Sequence, residues 1–169
     1  MGLPRTLKNL NTFVNGADYR GRCGEFEQPK LALVTSDWRG GGMPGAVKLD
    51  QGIEAMEATL TFGGHETALV RQFGTTAING TRIRLVGAYQ ADNGSAPQAV
   101  DIFIGGRFTE IDFGKDKPGD PTEHKYKAAL SYYRREVNGV VEVEIDMIAG
   151  VHIVGGVDRY AEIMAILAG

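Results

Sequence analysis

Asn138-Gly139 lies between two extended, alternating runs, and few short sequences constrain a chain so tightly. A two-residue type I′ turn needs positive φ at both central positions, which Asn and Gly tolerate, so the flanking runs are antiparallel strands. Those runs are His124–Val137 and Val140–Asp146. A two-residue loop sets Val137 opposite Val140, Arg135 opposite Glu142 and Tyr132 opposite Ile145. The Arg135–Glu142 pair then contributes about a few tenths of a kcal/mol across the strands. Val141, Val143 and Ile145 point to one face, and Glu142, Glu144 and Asp146 form an acidic row on the other. Such a row reads first as a solvated sheet face. Upstream, Arg107–Phe113 gives another strand, and Gly114–Thr122 is a charged loop held open by Pro118 and Pro121.

Period-two patterning continues through most of the chain. Thr12–Tyr19 is a second Asn-Gly hairpin, with Val14 opposite Ala17. Leu31–Val34 is a short apolar strand. Met56, Ala58, Leu60 and Phe62 alternate with Glu57, Thr59 and Thr61, which predicts a half-buried strand. Ile83, Leu85 and Tyr89 share one face of Arg82–Gln90. After the turn at Ala91–Ser95, Val100, Ile102 and Ile104 alternate, and Gly105-Gly106 shift the phase as a bulge does. Two segments break the rhythm. His65–Phe73 reads as a short helix stopped by Gly74. Asp158–Leu167 reads as a second helix, with Asp158 as N-cap and Tyr160, Ile163, Met164 and Leu167 in one apolar stripe. Trp38–Gly52 reads as neither strand nor helix; it carries five glycines and the only tryptophan. A loop of that length in a compact domain is usually functional or disordered, and Trp, Arg and Met are enriched at interfaces. The expected fold is mainly β: an antiparallel β-sandwich or barrel with a short helix and a C-terminal helix packed on it, long hairpins and extended loops, one domain over residues 1–169.

The 24 glycines in 169 residues are about twice the usual ~7% share, and they fall between strand-like runs, as in a turn-rich β protein. A net charge of −3 argues against tight sequence-independent DNA binding, which needs cations to neutralise phosphates. Lys115, Lys117, Lys125, Lys127, Arg134 and Arg135 cluster loosely, but acids interleave with them. Cys23 is alone, so no intrachain disulfide and no CxxC motif exist. No apolar run reaches membrane-spanning length, and the N-terminus has no hydrophobic signal core. Asn79-Gly-Thr81 and Asn93-Gly-Ser95 read as turns. His65, His124 and His152 are far apart in sequence and lack metal spacing. No GxxxxGK[ST], GxGxxG or GxSxG motif is present. The sequence therefore points to no enzyme, no cofactor and no metal.

The order of segments resembles the major tail tube proteins of P2-type contractile-tailed phages and their relatives in R-type bacteriocins. The resemblance is carried by Pro4-Arg-x-Leu-Lys, Asn11-x-Phe-x-Asn-Gly-x-x-Tyr-x-Gly21 and Pro29-Lys-Leu31. It continues through Arg39-Gly-Gly-Gly-Met43, Asp50-x-Gly-x-Glu-Ala-Met-Glu57, Gly106-Arg107 and Glu110-Ile-Asp112. Ser131-Tyr-Tyr133, Asn138-Gly139, Glu144-Ile-Asp146 and Gly155-Gly-Val-Asp-Arg159 complete it. The resemblance implies a structural protein that assembles with itself into stacked six-membered rings, the rigid inner tube of a contractile tail. The implied partners are the tail sheath, baseplate and tail-terminator proteins, with DNA only as passing cargo and no membrane anchor. The implied location is the virion tail, after assembly in the host bacterial cytoplasm.

Stacked rings need loops that reach along the axis. The expected stacking and subunit-interface residues are Trp38, Arg39, Met43, Lys48 and Asp50 on one loop and Lys115, Asp116 and Lys117 on the other. Glu142 and Glu144 are the expected lumen acids, since phosphate attraction would stall a passing polyanion. The tube of a headless bacteriocin is the alternative within the class, and a monomeric ligand-binding β-barrel is the alternative outside it.

Overall fold

The protein is described by a computed structural model covering residues 2–169. In chain order its strands begin with β1 (Thr6–Val14), β2 (Ala17–Asp18), β3 (Cys23–Glu27), β4 (Leu33–Trp38), β5 (Val47–Ile53) and β6 (Met56–Gly63). A one-turn helix α1 (Thr67–Val70) precedes β7 (Thr81–Gln90), β8 (Gln98–Asp112), β9 (Glu123–Val137) and β10 (Val140–Asp146). The chain ends with β11 (Val151–Val154), β12 (Val157–Asp158) and α2 (Ala161–Leu167). Ten strands form one antiparallel sheet, and β4 and β5 form a separate two-stranded sheet. The expected mainly-β antiparallel fold with two helices is what the chain adopts. Both Asn-Gly hairpin turns are left-handed: Asn15 and Asn138 have φ of 48° and 49°, and Gly16 and Gly139 have φ of 84° and 80°.

The spine is the β8–β9 hairpin, with 15 residues in each strand. One side of β9 is paired with β8 along most of its length. The other side is shared: β6 takes Glu123–Leu130, and β10 takes Tyr132–Val137. The change of partner falls at Ser131. Gly105 stands opposite Tyr132 and Gly106 opposite Leu130, so the phase shift read at Gly105-Gly106 is present, but the extra residue is Ser131 on β9. Its hydroxyl donates to the Gly105 carbonyl at 3.5 Å. Gly106 is obligatory, because a Cβ there would collide with the Ala129 carbonyl.

This division makes two layers. One holds β1, β2, β7, the first half of β8, the second half of β9, and β10–β12. The other holds β3, β6, the first half of β9 and the second half of β8. A single apolar core lies between them. Ile83, Leu85, Ile102, Tyr133 and Ile145 enter it from the first layer, and Leu60, Phe62, Phe108, Tyr126 and Ala128 from the second. Burial of each large side chain is worth about 1.5–3 kcal/mol. Phe62 meets Tyr19 and Tyr126 edge-on, at 5.5 Å in both cases.

Several local expectations are corrected. The short strand expected at Leu31–Val34 is instead β4, starting at Leu33. The segment Trp38–Gly52 is not irregular: Val47–Ile53 is β5 and pairs back on β4, leaving only the tip as loop. Its glycines hid the strand. Those of the tip build the reversal, and Gly52, with φ of 112°, lies where the register slips.

The hairpin register at Val137 and Val140 is as expected, but Glu142 is a bulged extra residue. Arg135 therefore faces Val143, and Tyr132 faces Asp146. Val141 faces Glu136 and leaves the side shared by Val143 and Ile145. The Arg135–Glu142 ion pair still forms, Nε to Oε2 at 3.1 Å.

Helix α2 starts at Ala161, and Asp158 does not cap it. The Asp158 carboxylate instead accepts from the backbone N–H of Tyr160 and of His152, closing a turn. No α2 residue is buried; Ile163 is 46% and Leu167 71% exposed. The expected apolar stripe exists, but its Tyr160, Ile163 and Leu167 side chains stay exposed. Only Met164 turns inward, beside Gly150.

Candidate assembly surfaces

The β4–β5 hairpin is an amphipathic arm. Cross-strand pairing places Trp38 opposite Val47 and Ser36 opposite Leu49, and the alternate positions pair Asp37 with Lys48 and Thr35 with Asp50. Side chains alternate between faces along a strand, so Trp38, Val47 and Leu49 share one face, and Asp37, Lys48, Thr35 and Asp50 the other. Every β4 residue is exposed, and Trp38 is 58% exposed. Lys48 binds Asp37 at 3.0 Å, and the Asp50 carboxylate accepts from the Gly52 N–H at 2.8 Å. At the tip the Arg39 Nε donates to the Met43 carbonyl at 3.2 Å, and the Gly40 N–H to the Met43 Sδ at 3.1 Å. Five expected site residues, Trp38, Arg39, Met43, Lys48 and Asp50, thus sit on one arm. Lys115, Asp116 and Lys117 sit elsewhere, in the exposed loop between β8 and β9, where Lys117 reaches Asp120 at 3.9 Å.

Glu142 and Glu144 both lie on β10, and neither carboxylate is bare. Glu142 is held by Arg135, and Glu144 accepts the Tyr132 hydroxyl at 3.0 Å. Burial, followed by that bond to Glu144, pushes the Tyr132 phenol above its ordinary value.

A surface the sequence did not reveal lies on the first layer, away from the core. The register aligns Phe13, Arg84, Phe103, Arg134 and Glu144 in one row across five strands. The Arg84 guanidinium stands 5.7 Å from the Phe13 ring centre and 5.4 Å from that of Phe103, and Arg134 stands 4.9 Å from Phe103. Asp101 neutralises Arg84 at 2.9 Å, and Glu136 neutralises Arg134. The row floors an open groove of about 720 Å³, walled by Ile148 and Ala149 of the β10–β11 turn. No signal in any single segment marks it, because it depends on the register of five strands, β1, β7, β8, β9 and β10.

The outer face of the second layer is charged: Glu27, Glu57, Glu110 and Asp112 line it with Lys125 and Lys127, and Lys127 binds Glu57 at 3.2 Å. This layer also has two open margins. β3 pairs only with β6, and the Arg107–Asp112 half of β8 pairs only with β9.

His65 and His124, far apart in sequence, are close in space. The rings of His65 and His124 are 6.0 Å apart, and His124 is buried. No group of three or more His, Cys, Asp or Glu able to hold a metal occurs among the described residues. Cys23 is half-buried, and burial raises its thiol pKa. No helix among the described residues is long and apolar enough to cross a membrane.

Long strands with open margins, an exposed amphipathic arm and an uncovered apolar helix define a structural β protein built for contact with other chains. The chain belongs to the phage tail tube family: the model described as phage tail tube protein FII matches residues 4–167. It is 35% identical over 162 residues to the tail tube protein of Escherichia phage P2, covering 94% of each chain. It is 32% identical over 164 residues to the major tail tube protein of Serratia phage KSP20, covering 96% of this chain and 94% of the relative. Two solved chains share its fold at 10% identity: one from a PVC sheath/tube terminator and one from a PVC sheath–tube complex, both of an extracellular contractile injection system. Their TM-scores are 0.60 and 0.59, with 80% and 79% of this chain and 98% and 91% of those chains covered. The protein is a structural component of a tail tube, and its place is the virion tail.

Proposed function

We propose that copies of this chain close head-to-tail into six-membered rings that stack into the inner tube of a contractile tail. The observation that carries this reading is the pair of open margins on the second layer. Across the order β3, β6, β9, β8, directions alternate, so the free side of β8 at Arg107–Asp112 in one copy meets the free side of β3 in the next as an antiparallel neighbour. A heterologous contact of this kind forms a ring when its rotation closes, and it satisfies edges that would otherwise be open to uncontrolled pairing.

Residues 1–169 act as one tail-tube domain, and the protein works as architecture rather than as a catalyst. The arm carrying Trp38, Arg39, Met43, Lys48 and Asp50 reaches along the axis to the next ring, with the Lys115–Lys117 loop as the second axial contact. In this reading the acids of the second layer's outer face line the lumen, and Glu142 and Glu144, on β10 of the opposite layer, stay off that wall. The charge of the lining acids keeps DNA from adhering as it passes. The outside of the tube meets the sheath, and its ends meet baseplate and terminator proteins.

Negative-stain electron microscopy of the concentrated protein tests the reading. Sixfold rings or tubes are expected, and Trp38→Ala is expected to keep a folded subunit while long tubes are lost. Discrete globules at every concentration would contradict ring assembly, and intact long tubes from Trp38→Ala would remove the arm from the axial contact.

A further inference from the structure

Of the large apolar side chains left exposed, most fall in two places. One is the arm and its base, with Leu33, Val34, Trp38, Val47 and Leu49. The other is the β10–β11 turn and the C-terminal segment, with Met147, Ile148, Val157, Ile163, Ile166 and Leu167. The first is a projecting two-stranded hairpin with water on its apolar face. The second borders the concave groove floored by Phe13 and Phe103, since Ile148 walls that groove and α2 rests on the same turn through Met164 and Gly150. We propose that the arm of one copy lays its Trp38–Val47–Leu49 face on the groove and α2 of a second copy. This rests on the self-assembly proposed above and names the surface that the arm meets.

Three features make the second copy the occupant. Two different apolar patches on one molecule, one projecting and one concave, satisfy each other only in a heterologous contact between copies. The groove is also suited chemically to an indole. Arg84 and Arg134 already stack on Phe103, and Arg82 in the groove lining has no carboxylate partner among the described residues. Tryptophan is the strongest aromatic partner for a guanidinium. Finally, the opposite face of the arm keeps Lys48 paired with Asp37, so docking the apolar face buries no unpaired charge of the arm.

Trp38 is the only tryptophan, so the unsubstituted protein carries its own probe. On assembly its emission is expected to move to the blue and its quenching by acrylamide to fall about threefold or more, as the indole leaves water for an interface core. Ile148→Asp and Ile163→Asp, both at exposed positions, are expected to keep the melting of the subunit and to abolish that change. In a Val47→Cys, Ile148→Cys chain, oxidation of assembled material is expected to give a ladder of covalent oligomers that neither single variant gives. Tubes in which Trp38 stays freely quenched would overturn the docking while leaving self-assembly intact. Should the double variant not assemble, quenching in tubes of the unsubstituted protein decides. A chain that forms no oligomer at any concentration would overturn the assembly reading beneath it.

Discussion

Gly106 lies against the Ala129 backbone of β9, and its lack of a side chain lets the two longest strands stay paired through the bulge at Ser131. Gly106→Ala forces backbone to move rather than a flexible side chain, so it is expected to destabilise by about 1–3 kcal/mol, the range for overpacking a tight site. A denaturant midpoint that falls with unchanged slope would confirm it, and an unchanged midpoint would contradict it. The buried tyrosines make a second residue-level prediction. Burial is the leading cause that holds the Tyr126 and Tyr133 phenols above the ordinary 10.0. The unfolded chain gives up these protons first, so stability is complete below pH 10.0 and falls as pH rises toward the folded values. Thermal midpoints followed beside phenolate absorbance are expected to drop through that window; a flat midpoint would contradict it. At this scale the sequence was legible where backbone chemistry is local: Asn138-Gly139 demands a left-handed turn whatever surrounds it. The bulge at Glu142 was not legible, since an extra residue in a strand shows only against its partner. Nor was the meeting of His65 with His124, which chain folding alone brings together.

At the scale of elements, the strands with one buried face were readable. Met56, Ala58, Leu60 and Phe62 alternate because one side of β6 faces the core. The arm was not readable by that rule, because neither of its faces is buried in its own chain and its glycines resemble loop. The C-terminal helix fails for the complementary reason: its apolar stripe was real, but a stripe shows only that a helix face seeks cover, not which molecule supplies it. Removing Ala161–Leu167 is therefore expected to change subunit stability by under about 1 kcal/mol, the usual scale for surface positions. The same truncation is expected to weaken assembly strongly. Melting curves and sedimentation of the truncated chain check both, and a large loss of melting temperature would show that α2 packs on its own sandwich after all.

At the scale of the molecule, the segments that carry the tail-tube resemblance are spread over several elements, including turns, the β8–β9 spine and the arm. That is why the family was legible before the register was. The candidate site was legible only in part, because an assembly surface belongs to two copies and one chain records half of it. Trp38, Arg39, Met43, Lys48 and Asp50 fell together on the arm, whereas the Phe13–Phe103 groove required the order of five strands. The central claim is that the margins of β3 and β8 are completed by sister chains. Amide hydrogen exchange at Cys23–Glu27 and Arg107–Asp112, compared between subunit and assembled protein, tests it most directly. The account predicts that both segments exchange readily in the subunit and become protected together, to the level of central β9, when rings form. Assembled tubes in which either segment still exchanges as it does in the free subunit would contradict it.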